Sequence, residues 1–202
     1  AIGYPVPWNP ERFIGAIQGL RDLKLPAYNA AYMIRAARGK DWGDKAEYLA
    51  KCVLGPMWEK RGEICPKEGD TLAAFNQRLL AQYGVAGFMS GQIIADTKHA
   101  FVLSAAEDWW TFAVSGPGSR RGLNRLLGRD KGARWKEEAW HAELLALLSH
   151  LMTDVEAEVQ EIDGQNCQSV ACEYDKYCRA YYGDGRPKQR YVPLAKDLFG
   201  VI

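Results

Sequence analysis

No run of this chain is apolar for long enough to cross a membrane, and no secretory signal is legible in it. It also lacks a Walker-type phosphate loop, a Rossmann glycine fingerprint and a nucleophile elbow, which removes the commonest nucleotide-binding and acyl-transfer frameworks. Histidine is scarce. His99, His141 and His150 stand at no ligand spacing, and the last two are expected on a helix surface. The five cysteines are odd in number and unevenly placed, which favours reduced thiols over a disulfide scaffold. Cys167, Cys172 and Cys178 fit no zinc or iron–sulfur spacing and share no helix face, so no metal site is expected. Alternating strand patterns, internal repeats and low-complexity linkers are absent too. Net charge is nearly absent, +1 from 26 basic and 25 acidic residues.

What is present is 202 residues with 48% hydrophobic content, enough for a single α-helical domain over residues 1–202. The chain starts at Ala1 rather than Met and could be the C-terminal part of a longer one. The small net charge hides strong local polarity. Between Gly116 and Lys136 seven basic residues face one acid, Asp130. Asp154, Glu156, Glu158, Glu161 and Asp163 form an acidic run, followed by a second basic set, Lys176, Arg179, Arg186, Lys188 and Arg190. Such polarity suggests one face turned toward a polyanion.

The centre of the first basic stretch is Ser115-Gly-Pro-Gly-Ser-Arg-Arg-Gly-Leu-Asn-Arg125. It reads as a tight turn entering a helix, with Gly116 and Gly118 in backbone angles closed to other residues and Ser119 as the cap. A helix start with free N–H groups suits an anion, above all a phosphate, and Arg120, Arg121 and Arg125 add forked cationic donors. The plainer alternative is an ordinary turn and a solvated basic helix.

Helices are expected from Asn9-Pro10-Glu11 onward, over Ala27 to Arg38, over Asp44 to Leu54 with Gly55 as terminator, after Asp70 as cap, and from Val85 to about His99. Trp42 and Trp58 are expected in the core or a lid, and Glu59 to Lys67 in a loop. A short helix should carry Trp109 and Trp110 into the Gly-Pro-Gly turn. Long helices should then run from Ala133 to Val155 and from Gln165 to Tyr182, with a closing segment at Leu194 to Phe199.

Two further stretches could carry chemistry. In Gly87-Phe-Met-Ser-Gly-Gln-Ile-Ile-Ala-Asp96, Gln92 and Asp96 share a helix face, beside a stripe bared by Gly87 and Gly91. The bare stripe could serve tight helix packing or a ligand. In Asp163-Gly-Gln-Asn-Cys through Arg179, Glu173, Lys176 and Tyr177 lie together, with Gln165 and Asn166 at the helix start. A plain exposed helix with charge pairs is the alternative there.

Taken in order, these three motifs, with the upstream Ala31-Tyr-Met-Ile34, resemble the phage family of α-glutamyl/putrescinyl thymine pyrophosphorylases, also described as amino acid:DNA transferases. The likeness spans roughly residues 28 to 192. The family's upstream Arg-rich segment, with Pro-Trp-Thr and Asn-x-x-Arg, is missing here, and Gln168-Ser-Val-Ala171 is an insertion between two cysteines. The resemblance implies DNA hypermodification in the cytoplasm of an infected bacterium: a pyrophosphorylated hydroxymethyluracil loses pyrophosphate to an amine, an amino acid or a polyamine. The partners implied are double-stranded phage DNA, the amine donor, and the chain's own missing N-terminal segment or a second chain.

On that reading Asp96 or Glu173 would serve as base, with Gln92 and Lys176 beside them. Gly116, Gly118, Ser119, Arg120, Arg121, Asn124, Arg125 and Arg179 would hold pyrophosphate or DNA backbone. Gln165, Asn166, Trp109, Trp110 and Tyr177 would hold the base, and magnesium would suit the leaving group. The Gly-Pro-Gly element also looks like the helix-hairpin-helix of DNA glycosylases, in which a catalytic Asp follows closely; Asp163 lies much further on. A glycosylase and a non-catalytic nucleic-acid-binding protein are the alternative functions.

Overall fold

The computed structural model describes residues 7–28, 44–154 and 162–185, and among them every regular element is helical. In order these are α1 (Pro10–Asp22), α2 (Lys45–Tyr48), a π-helical turn (Leu49–Leu54), α3 (Gly55–Glu59), α4 (Arg61–Ile64), α5 (Leu72–Leu80), α6 (Gly87–Thr97), α7 (Pro117–Leu126), α8 (Glu137–Asp154) and α9 (Gly164–Tyr182). Most of the helix expected over 27–38, all of the closing segment 194–199, Trp42, and Arg186, Lys188 and Arg190 fall outside the described residues.

The helix starts follow from local chemistry. Asn9 accepts the Arg12 N–H and Pro10 takes the first helical position, as its fixed φ allows. Asp44 likewise caps α2. Gly55 was expected to end that helix, yet the rod continues to Glu59 through the π turn, and the Gly55 N–H reaches back to the Ala50 carbonyl. The cause is Pro56, which has no N–H and whose ring would strike the carbonyl four residues earlier in a regular helix. The wider π turn relieves both. The loop expected over Glu59 to Lys67 contains α4, and Trp58 lies half-buried under the Arg61 guanidinium.

Helix α5 is capped by Thr71 rather than Asp70, because the Asp70 carboxylate is engaged by Arg78 and by the Lys67 N–H. The remaining α5 donors, Leu72 and Ala73 N–H, go to the Asp108 carboxylate, 36 and 35 residues away. That contact replaces the short helix expected around Trp109 and Trp110: residues 107–111 form turns.

Three apolar clusters fill the interior. Tyr48, Leu49 and Val53 pack near α1. Leu72, Phe75, Leu79, Ile94 and Leu103 unite α5 and α6. Leu123, Trp140, Leu144 and Cys167 unite α7, α8 and α9. Lys98 and Asp163 join the last two across the fold: both are buried, and the Lys98 ammonium meets the Asp163 carboxylate at 2.5 Å while standing 3.9 Å above the Trp109 ring. Asp163 also caps α9 by accepting the Asn166 N–H. It is therefore an interior anchor, not part of an exposed acidic run; residues 155–161 of that run lie outside the described residues.

The closest helix pair is α7 on α9. A methyl group on Gly122 would stand 1.8 Å from the Ala171 carbonyl oxygen, and one on Gly118 would stand 2.4 Å from Cys172 Sγ. Gly122→Ala should therefore cost about 3 kcal/mol or more, as overpacking against backbone cannot be relieved by a rotamer change. Gly15→Ala in α1, where nothing lies within 4 Å, should instead gain up to about 1 kcal/mol. Urea unfolding of the two variants checks both signs.

Candidate functional site

The Gly-Pro-Gly element is a helix start with no tight turn. Gly116 is the cap in extended conformation, Pro117 is the first residue of α7, and neither Gly116 nor Gly118 has a positive φ. At 118 glycine admits the close approach of α9, and at 116 an added methyl group would stand 3.2 Å from a ring carbon of Phe88, a tight contact that a small shift of the ring would relieve. The expected Ser119 cap is displaced one turn inward. Fully buried at the third helical position, its hydroxyl accepts the Gly116 N–H and donates to the Gly116 carbonyl. The stretch before α7 is a long series of turns from α6, so no short hairpin joins two helices here.

The anion in front of this helix is the protein's own. Glu137 accepts the Ser115 N–H and hydroxyl at 2.9 and 2.6 Å and pairs with Arg120, which also donates to Ser115 Oγ and the Trp135 carbonyl. Burial alone would raise the Glu137 carboxyl, but the Ser115 and Arg120 donors bring it below the ordinary glutamate value. Arg120 is thus committed internally. So is Asn124, completely buried, whose amide donates to the Lys131 and Ala133 carbonyls and holds the loop between α7 and α8.

The other arginines converge on one residue that the motif reading passed over. Asp175 is fully buried. Arg121 Nε donates to its Oδ2 at 2.9 Å and Arg125 Nε to its Oδ1 at 3.1 Å, while Arg179 Nε stands 3.2 Å from Oδ2 without hydrogen-bond geometry. Arg125 continues to Asp184, which Lys131 also reaches at 3.0 Å; those two donors hold the Asp184 carboxyl below its ordinary value. Among the described residues, four cations (Arg121, Arg125, Arg179, Lys131) thus surround two carboxylates (Asp175, Asp184), a surplus of two positive charges. Arg121 meets the Asp175 carboxylate through Nε, and Arg179 stands beside the same oxygen. The only advance hint of Asp175 was its spacing four residues before Arg179; the α7 arginines come from 54 and 50 residues upstream.

The remaining expected site residues are dispersed. Asp96 is exposed at the end of α6 and Gln92 half-buried within it. Glu173 and Lys176 pair with each other on the outer side of α9. Gln165 is buried and donates to Gln168, whose amide lies beside Gly116; Asn166 is exposed. Trp109 shields Lys98 and meets Trp110 edge-on, with Trp110 half-exposed. Tyr177 is exposed and stacked on Tyr181. His141 Nε2 stands 2.8 Å from the Thr111 carbonyl. All five cysteines are free, and burial pushes the Cys167 thiol up to about 11, the state of an inert structural thiol. Among the described residues no group of three or more metal-ligating side chains gathers.

Asp175→Asn should destabilise the domain by about 3 kcal/mol or more, since it leaves three arginines around a neutral buried group; chemical denaturation measures this. The Glu137 contribution to stability is complete above the ordinary glutamate pKa and is lost as pH falls through its depressed folded value. Wild type should therefore lose more stability to acid than Glu137→Gln over that range, in urea melts at stepped pH.

Comparison with known proteins closes the description. No helix among the described residues is long and apolar enough to cross a membrane. No curated protein and no solved structure matches the chain. Residues 3–186 match the family described as 5-hmdU DNA kinase, helical domain, whose name ties it to modification of a thymine-derived base in DNA. Nearly the whole chain lies within that match, so this all-helical protein belongs to the 5-hmdU DNA kinase helical-domain family.

Proposed function

We propose that the domain binds DNA bearing a phosphorylated hydroxymethyluracil and replaces the pyrophosphate of that base with an amine. The observation that carries this reading is the surplus of positive charge built on Asp175. Arg121, bonded to Asp175 at Nε, and Arg179, 3.2 Å from the same oxygen, bring two guanidinium groups to one carboxylate, and a diphosphate suits such a pair. Family membership supports the substrate: a hydroxymethylated base in DNA is the species a 5-hmdU DNA kinase would phosphorylate.

In the reaction the amine nitrogen attacks the methylene carbon as the carbon–oxygen bond to pyrophosphate breaks. The pyrophosphate leaves with the bonding electron pair onto the arginines. The ammonium of the donor first loses its proton to a carboxylate, Asp96 or Glu173, or to water. Magnesium would enter on the oxygens of the pyrophosphate itself. Asn166 and Trp110, both accessible, are the side chains best able to meet the base.

A second reading is favoured by the dispersal of Asp96 and Glu173, exposed on different helices. In it the domain only holds modified DNA for phosphoryl transfer carried out by residues elsewhere. Its support is that these 202 residues contain no Walker-type loop.

Nucleoside mass spectrometry separates the two. With DNA carrying pyrophosphoryloxymethyluracil and a pool of amino acids and polyamines, the full chain should yield an aminomethyl-type nucleoside. Arg121→Ala/Arg179→Ala should reduce the yield by about 100-fold, the loss of one to two charge-assisted contacts. Tight binding to such DNA without any new nucleoside would establish the second reading instead.

A further inference from the structure

The far end of α9 carries an aromatic surface that the reaction above does not use. Tyr177, Tyr181 and Tyr182 are 62, 69 and 69% exposed, in a domain that hides Trp140, Tyr48 and Phe75 almost completely. Their rings are ordered against each other. Tyr177 and Tyr181 lie nearly parallel, 18° apart with centroids at 5.8 Å, and Tyr182 meets Tyr181 edge-on at 4.9 Å. One helical turn separates Tyr177 from Tyr181, so the two rings are presented along a single side of the helix. Three large rings left in water at one helix end form a surface with an affinity for other flat apolar groups.

Charge decides which groups. The same helix end carries Arg179 and Lys176, and Asp184 just beyond it receives Arg125 and Lys131. Counting these with Arg121, five cations among the described residues stand against three carboxylates (Glu173, Asp175, Asp184), a surplus of two. A second copy of this face would be repelled by the same surplus, whereas a phosphodiester strand is attracted by it. Paired bases in a duplex offer only their edges, so ring faces standing free on a helix can stack only on bases that have left the pair.

We infer that Tyr177, Tyr181 and Tyr182 form a stacking track for unpaired nucleobases, with the backbone of the strand led toward the arginines around Asp175. The inference rests on the DNA-handling reading above but not on the amine transfer. Bases opened around the modified position would lie on the tyrosines while the substituted base is worked on. Stacking is indifferent to sequence, because every base has a π-face, so the track fixes a strand without choosing a base.

The test is fluorescence anisotropy of a labelled oligothymidylate with the full chain at several salt concentrations. Tyr177→Ala/Tyr181→Ala should weaken binding at least ~10-fold with an unchanged dependence on salt. Tyr177→Phe/Tyr181→Phe should bind as wild type, since the ring and not the hydroxyl is used. Arg121→Ala/Arg179→Ala should instead flatten the salt dependence. Circular dichroism melts of the tyrosine variants should match wild type, as the side chains are exposed. Wild-type failure to bind the oligonucleotide, or an alanine pair that binds as tightly as wild type, overturns the track. So does a wild-type dimer that dissociates on tyrosine substitution with oligonucleotide affinity unchanged. Oligonucleotide binding that obeys these expectations in a chain that makes no new nucleoside would keep the track and discard the transferase.

Discussion

The approach of α7 to α9 is the contact on which the rest of the site depends. Gly118 and Gly122 remove the side chains that would hold the helices apart, so the α7 backbone comes within reach of Ala171 and Cys172. Only at that separation can Arg121 and Arg125, from one helix, and Arg179, from the other, share the Asp175 carboxylate. A buried carboxylate with three guanidinium neighbours is costly to desolvate, a cost offset here by the donors of Arg121 and Arg125 on its two oxygens. The same arrangement leaves positive charge in excess at the surface, which no neutral helix pair would display. Packing and electrostatics are therefore one feature here: the small residues permit the approach, and the approach assembles the charge.

A second internal pair keeps that helix unit on the remainder of the domain. Lys98 ends α6 and Asp163 begins α9, and their contact under Trp109 ties the α5–α6 core to the α7–α9 core. The Asp163 carboxylate also satisfies the first turn of a 19-residue helix, so one side chain sets both the start and the placement of α9. Asp108 does comparable work for α5, taking two of its free N–H groups from a turn far along the chain. Carboxylates in this protein act mainly on its own helix starts and arginines. That is why a sequence almost neutral overall can carry a concentrated basic face.

The functional picture follows from which cations remain available. Arg120, nearest the Gly-Pro-Gly element, is bound on three sides by Glu137, Ser115 and the Trp135 carbonyl. The Ser115 N–H and hydroxyl just before the helix start it flanks are likewise taken by Glu137. In the proposed function phosphate is therefore met at the outer edge of the α7–α9 pair, by Arg121 and Arg179, rather than at the helix terminus. Membership of the 5-hmdU DNA kinase helical-domain family ties the chain to DNA modification.

The helical class and the starts of α1, α2 and α9 were legible from sequence because each rests on local rules. Caps act over three residues, and apolar periodicity over one or two turns. The basic stretch was legible as composition, though not that Arg121, Arg125 and Arg179 gather around one carboxylate. Three things were not. The purpose of Gly116 and Gly118 was misread as backbone freedom, because a glycine needed for a neighbour's approach looks the same in sequence as one needed for a positive φ. Asn124, Ser119 and Gln165 were read as ligands, because a polar side chain in a motif gives no sign of whether it faces solvent or satisfies a buried backbone. Asp175 was passed over, because its partners on α7 come from 54 and 50 residues away and one helix's spacing cannot show them. The sequence by itself determined which segments are helical and where charge accumulates. Only the tertiary structure decided which charges cancel one another, since that depends on distances between helices that no local rule contains.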